Sequence, residues 1–210
     1  MKTLAFIGIG NVGFALANNL QSKGYNIIIA SDNPDSNSVR EALKKNINFS
    51  VENVQNAINL SDIIFLATPF KVNENLLSNL DFQGKTLVDC TNPVEIGISH
   101  GLKSEISGSE KIQEWASSAK VVKAFTIYGF ENFNDPSYLG SNSKPVMLFA
   151  GNDSNSKLEI SEIIKDSGFY PKDVGNLDQA LHLEHMTLLW VKMVRRDGHH
   201  SNFMWSYFEK

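Results

Sequence analysis

Short apolar runs, each closed by a turn rich in glycine or proline and separated from the next by a helical repeat, recur along the chain. Residues 4–7 form the first run, and Gly8-Ile9-Gly10-Asn11-Val12-Gly13 closes it. Val12, Leu16 and Leu20, with Ala15 and Ala17 beside them, then repeat at helical spacing until Gly24, and residues 27–30 form a second run. Further continuous runs at 62–67, 86–90, 121–125 and 146–150 are too short for helices and show no alternation, as expected of parallel strands covered on both faces. Briefer extended pieces are expected near 48–51 and 169–174. Helical patterns between them cover 52–59, 72–80, 109–117 and 155–167, and Ser36 or Asn37 is placed to cap another helix running toward Lys45.

Three stretches depart from this rhythm. Residues 94–108 are polar and read as irregular. A long loop over 126–144 carries Tyr128, Phe130, Phe133 and Tyr138, which either line the pocket of a flat ligand or pin the loop to the core. Residues 177–196 read as one long helix that is apolar almost all round between Met186 and Val194, followed by a tail whose Phe203, Trp205 and Tyr207 alternate like an edge strand. The pattern predicts an α/β fold with a Rossmann-like, doubly wound, mostly parallel sheet and a C-terminal helical extension. Residues 1–176 would form the nucleotide domain, and residues 177–210 would pack on it or on a dimer partner.

The glycine turn carries the most specific chemistry. Gly8 permits the tight turn, Gly10 lets backbone approach a pyrophosphate, and Gly13 lets the helix lie close to the strand. The phosphates would meet the free N–H groups at the start of the helix. Alone the pattern is weak, but between a strand and a helix it points to dinucleotide binding rather than a merely structural turn. Two later runs end in similar polar-proline loops, Ala67-Thr68-Pro69 and Thr91-Asn92-Pro93, and in a parallel sheet all three turns should border one crevice.

Composition narrows the partners. A net charge of -4 over 210 residues offers no basic face for nucleic acid. No apolar stretch is long enough to span a membrane, and the first run begins too early to leave room for a signal peptide. With Cys90 as the single cysteine, a reducing cytoplasm is the expected home. His182 and His185 share a helical face, but no acidic or thiol partner completes a metal set, and no metal is expected. Cys90 lacks an evident base and reads as a small buried residue, whereas Glu184 is either tied to backbone or a functional acid. No Tyr-x-x-x-Lys pair or other acid-base set is recognisable, so no catalytic side chain is assigned. Hydride exchange between two stacked rings requires none.

The chain resembles the NADPH-dependent reductases of the deazaflavin coenzyme F420, together with the bacterial dinucleotide-binding proteins grouped with them and the nucleotide domain of the six-transmembrane ferric reductases. The resemblance rests on Gly8 to Gly13, Ala67-Thr68-Pro69, residues 88–93, Val122-Lys123-Ala124-Phe125, residues 149–153, and the Leu183-Glu184 helix ending near Trp190. It implies pyrophosphate at Gly8, Ile9, Gly10, Asn11, Val12 and Gly13, and the ribose 2′ position at Ser31, Asp32 and Asn33. It also implies a nicotinamide bordered by Ala67, Thr68, Pro69, Asn92 and Pro93, and an acceptor edge at Thr126, Ile127 and Tyr128. Where relatives have Ser-Arg, Phe-Asn-Thr and an arginine before Leu-Glu, this chain has Ser31-Asp32, Phe125-Thr126-Ile127 and His182. The family leans to NADP(H) and Asp32 leans to NAD(H), with NADP(H) favoured. The expected function is hydride transfer between NAD(P)(H) and a flavin or deazaflavin co-substrate, in a homodimer. The alternative is a non-catalytic NAD(P)-sensing or partner-binding protein.

Overall fold

A computed structural model describes residues 2–137 and 143–210, so Tyr138 lies outside the described residues. In chain order the strands are β1 (Thr3–Ile7), β2 (Asn26–Ala30), β3 (Ser50–Glu52), β4 (Ile63–Leu66), β5 (Thr86–Asp89), β6 (Val94–Glu95), β7 (Ser99–His100), β8 (Lys120–Lys123), β9 (Val146–Gly151) and β10 (Tyr170–Asp173). Eight of them form one sheet in the order β10-β9-β8-β5-β4-β1-β2-β3. Its neighbours run parallel except for β8 and β9. The chain runs outward from β1 to β2 and β3, then returns to the other side of β1 as β4. That reversal opens the crevice where doubly wound sheets bind ligands.

Alternation along β1 divides the core. Leu4 and Phe6 join Leu16, Phe65, Phe125 and Phe169 on one face, and Ala5 and Ile7 join Ile64, Leu66, Leu87 and Ile112 on the other. The first face is covered by α1 (Asn11–Ser22) and α2 (Asn37–Lys45), and the second by α3 (Val54–Leu60), α4 (Asn73–Leu77) and α5 (Gly108–Trp115). On the first face too lie α6 (Ser154–Asp166) and α7 (Ala180–Val191), the latter extended to Arg196 by a wider π turn. Local chemistry explains several helix starts. The Asn53 side chain accepts from the Asn56 N–H, Asp153 accepts from the Ser156 N–H, and Ser107 with Glu110 forms a reciprocal capping box.

Three expectations need correction. Residues 94–100 form a small antiparallel hairpin, β6 with β7, turned at Gly97, whose φ of +81° suits glycine. The helix expected over 72–80 is shorter: a 3₁₀ turn at Phe70–Val72 leads into α4, which ends at Leu77. The tail adds no strand. Phe203 instead stacks on Trp190 with ring centroids 6.2 Å apart, and the Trp205 carbonyl accepts the Val146 N–H at 2.9 Å, so burying aromatic area on α7 takes precedence over sheet pairing.

Candidate active site

The glycine turn sits where β1 ends and α1 begins, and each glycine has a visible reason to be there. Gly8 has φ +93°, and a Cβ on it would meet the Ala67 carbonyl and the Thr68 nitrogen at 2.8 Å. A Cβ on Gly13 would lie 2.1 Å from the Gly8 carbonyl oxygen. Gly10 differs, since nothing lies within 4 Å of where its Cβ would be. That open cradle fronts a helix with no acidic residue in its first turn and, unlike α3, α5 and α6, no side-chain cap. Ile9, Gly10 and Asn11 line a cavity of about 730 Å³ that runs from the turn between α1 and α2 toward Phe130 and Asn134.

The other expected positions converge from the neighbouring strands. Ala67-Thr68-Pro69 follows β4 and touches the glycine turn directly through the Gly8 contact. Asn92 and Pro93 follow β5 and, with Pro69 and Phe70, line a second cavity of about 470 Å³. The hairpin supplies its far wall through Val94, Glu95, Gly101 and Leu102. The larger cavity extends outward along two helices, whereas this smaller one lies at the strand ends, where ring chemistry belongs. The Asn92 Oδ1 is buried and has no hydrogen-bond partner among the described residues.

At the end of β2, Ser31 donates its hydroxyl to the Asn33 carbonyl at 3.0 Å. Asp32 is exposed, yet one carboxylate oxygen accepts the Val54 N–H at 3.0 Å, so it leans toward the start of α3. Thr126, Ile127 and Tyr128, assigned by resemblance to the acceptor edge, line neither cavity. All three are buried, and the Tyr128 hydroxyl donates to the Val146 carbonyl at 2.6 Å. Tyr128 and Phe133 therefore pin the loop to the core, and Phe130 lines the larger cavity.

Behind Thr91-Asn92-Pro93 lies an ionic cluster that no sequence motif marked as a unit. The Lys123 Nζ donates to Asp89 Oδ2 at 3.0 Å, to Glu184 Oε1 at 3.1 Å and to the Thr91 carbonyl at 2.5 Å. Asp89 also accepts from the Thr91 N–H, the Thr91 hydroxyl and the Ser109 hydroxyl. Glu184 accepts from the Gly108 N–H and pairs with His100 Nε2 at 2.8 Å. Because His100 Nδ1 accepts the N–H groups of Leu102 and Ser104, the ring carries its proton on Nε2 and donates it to Glu184. Burial pulls the Lys123 pKa down, but Asp89 and Glu184 outweigh it and hold it above the usual lysine value. The Cys90 thiol, next to Asp89, is pushed well up by burial and by that carboxylate, more than Lys123 offsets. Among the described residues no three His, Cys, Asp or Glu side chains are grouped to hold a metal ion. Glu184 is thus buried and supplied with hydrogen-bond partners on both oxygens.

Residues 3–93, which contain the glycine turn and both proline loops, match the family described as NADP oxidoreductase, coenzyme F420-dependent. Over that segment the chain is similar to this family. The metalloreductase STEAP3 of Rattus norvegicus is 27% identical over 187 residues, which are 88% of this chain and 36% of that protein. The chain thus spans about a third of the length of that curated relative. Among solved structures, a candidate F420-dependent NADP reductase from Arthrobacter sp. FB24 aligns over all of both chains with a TM-score of 0.81 and 22% identity. An imine reductase from Aspergillus terreus, held with NADPH4 and a dibenzazepine, aligns over 93% of this chain and 62% of its own, with a TM-score of 0.67 and 14% identity. At these identities the solved structures establish a shared fold. The matched family and these relatives are oxidoreductases, NADP-dependent by the family's own description. Among the described residues no helix is long and apolar enough to cross a membrane.

Proposed function

We propose that this protein is an oxidoreductase that binds NADP(H) across the strand ends and passes hydride between the nicotinamide and a flavin-like or deazaflavin ring. The observation that carries the reading is convergence. An uncapped helix start with an open Gly10 cradle and two proline-ended loops meet at the sheet's reversal point, with an orphan Asn92 oxygen in the second wall. The cradle suits a pyrophosphate, and the orphan oxygen suits the carboxamide N–H of a nicotinamide. Bound there, the nicotinamide supplies or takes the hydride, and with NADPH the balance is NADPH, one proton and the oxidised ring giving NADP+ and the reduced ring.

This chain's residues hold and orient. Gly8 to Gly13 take the phosphates, Pro69, Phe70 and Pro93 flatten one side of the smaller cavity, and the hairpin at Val94 and Leu102 forms the side against which an acceptor ring would lie. Of the ionisable side chains, Lys71 and Glu95 line this cavity, and ring-to-ring transfer requires neither. Asp32, already accepting the Val54 N–H, leans away from a 2′-phosphate, while Ser31 and Asn33 stay beside it; this supports NADP(H) over NAD(H). A homodimer belongs to the same reading, because α7 buries Trp190 and Val194 but leaves Leu189 half exposed.

Steady-state oxidation of NADPH and NADH with a panel of FMN, riboflavin and a 5-deazaflavin tests the reading, with light scattering for the mass. Saturable turnover, faster with NADPH, is expected. Tight nucleotide binding with no turnover across the panel would replace it with the sensing role.

A further inference from the structure

The cluster behind the Asn92 wall is built with an uneven charge. Lys123, Asp89 and Glu184 are each at most 1% exposed. Every polar partner of the two carboxylates is a donor: an ammonium, two hydroxyls, backbone N–H groups and the Nε2–H of a neutral His100. Both carboxylates are therefore held as acceptors, and one ammonium faces two of them. A surplus negative charge remains, shielded from water. It also lies close to the crevice. Glu184 Oε1 and Pro93 Cδ are each 3.1 Å from the point a Gly108 Cβ would occupy, which puts the carboxylate within about 6 Å of the proline. Phe70, on the opposite loop, is 2.9 Å from the same point.

The geometry points to this cluster as a positioning device for the nicotinamide that also favours its oxidised, cationic ring. Two features act together. Lys123 grips the carbonyl of the Thr91–Asn92 peptide and Asp89 grips the N–H of the peptide before it, so the backbone on both sides of Thr91, and with it the approach to Asn92, is held in place. The surplus charge attracts a cationic ring lying on Pro93 and has little effect on a neutral one, because an interaction over such a distance in a partly dry wall is only weakly screened. A site that prefers the oxidised ring makes the reduced cofactor a stronger hydride donor. None of these residues is catalytic, since none is placed to touch the reacting atoms. The inference rests on the crevice holding a nicotinamide.

The readout is the ratio of the dissociation constants for NADP+ and NADPH, measured by calorimetry or fluorescence on the full chain. Glu184→Gln keeps the side-chain shape and removes one negative charge; the ratio should rise on the order of fivefold in favour of NADPH. Asp89→Asn neutralises the other carboxylate and should shift the ratio the same way, which keeps the test open if one variant fails to fold. Ser109→Ala removes a hydrogen bond to Asp89 without altering charge; it should lower the melting temperature and leave the ratio alone. If the folded charge variants keep the parental ratio, or if Ser109→Ala moves it equally, the cluster is only structural and the proposed function stands. If the parent protein binds neither nucleotide, the reading of the crevice and this inference both fall.

Discussion

The two walls of the crevice are built on opposite principles. The glycine turn is backbone alone, with open space at Gly10 and a helix start that no side chain caps. The Thr91-Asn92-Pro93 wall is backed by four ionisable side chains whose donors and acceptors are nearly all matched, Lys123 alone making three hydrogen bonds. One wall leaves polar groups free for a ligand. The other, apart from the single Asn92 oxygen, satisfies its own and so resists yielding. Binding affinity should therefore live in the first wall and rigidity in the second, and substitutions should separate the two.

The largest effect is expected from Lys123→Met. Removing the ammonium leaves Asp89 and Glu184 facing each other in a site that water does not reach, and breaking such a buried pair costs about 3–5 kcal/mol. Denaturant unfolding should show that loss, and an unfolding free energy within about 1 kcal/mol of the parent would mean that the cluster relaxes or admits water. Nucleotide affinity of the remaining folded protein should change less than stability does.

The glycine turn should show the reverse. Gly10→Val places a side chain in open space, so stability should stay within about 1 kcal/mol, while nucleotide affinity falls on the order of a hundredfold as the phosphates lose their approach. Gly13→Ala is the internal contrast. Its Cβ would sit on the Gly8 carbonyl, so it should lose both affinity and about 1–3 kcal/mol of stability. Calorimetry paired with thermal melts reads both quantities, and equal behaviour of the two variants would break the distinction drawn between them.

The same contrast explains what the sequence made legible. The glycine turn is local: six consecutive residues between a strand and a helix state their geometry outright, and the runs at β1, β2, β4 and β5 declare a covered parallel sheet. Asp89, His100, Lys123 and Glu184 are scattered over almost a hundred residues, and only the sheet order beside β5 and β8 together with the return of α7 brings them into contact. The signal available was a charged residue inside an apolar element, Glu184 in a helix and Asp89 and Lys123 in covered strands, each of which has to find a partner somewhere. The hairpin at 94–100 was hidden for another reason. Its strands are two residues long, too short for any period to show, and its turn is set by Gly97 and by Ile98 at φ +56°. Thr126, Ile127 and Tyr128 are buried and line neither cavity, which the sequence did not announce because a loop of mixed aromatic and polar residues reads alike whether it faces a ligand or the core.

The smallest and sharpest check uses Cys90, which joins the two halves of the comparison. It stands between Asp89, in the cluster, and Thr91, at the start of the crevice wall, and it is buried. Burial and the Asp89 carboxylate both raise its pKa, while Lys123 offsets only part of the rise. The thiolate, not the thiol, attacks iodoacetamide, and each unit of raised pKa removes about nine-tenths of the thiolate present at pH 8. Native protein should therefore label at least roughly a hundredfold more slowly than the same chain in denaturant, where the thiol returns to its ordinary value. Labelling at the unfolded rate would show that the end of β5 opens in solution. A wall that opens cannot fix the Asn92 peptide, and the division between a yielding wall and a rigid one would then fail at its rigid side.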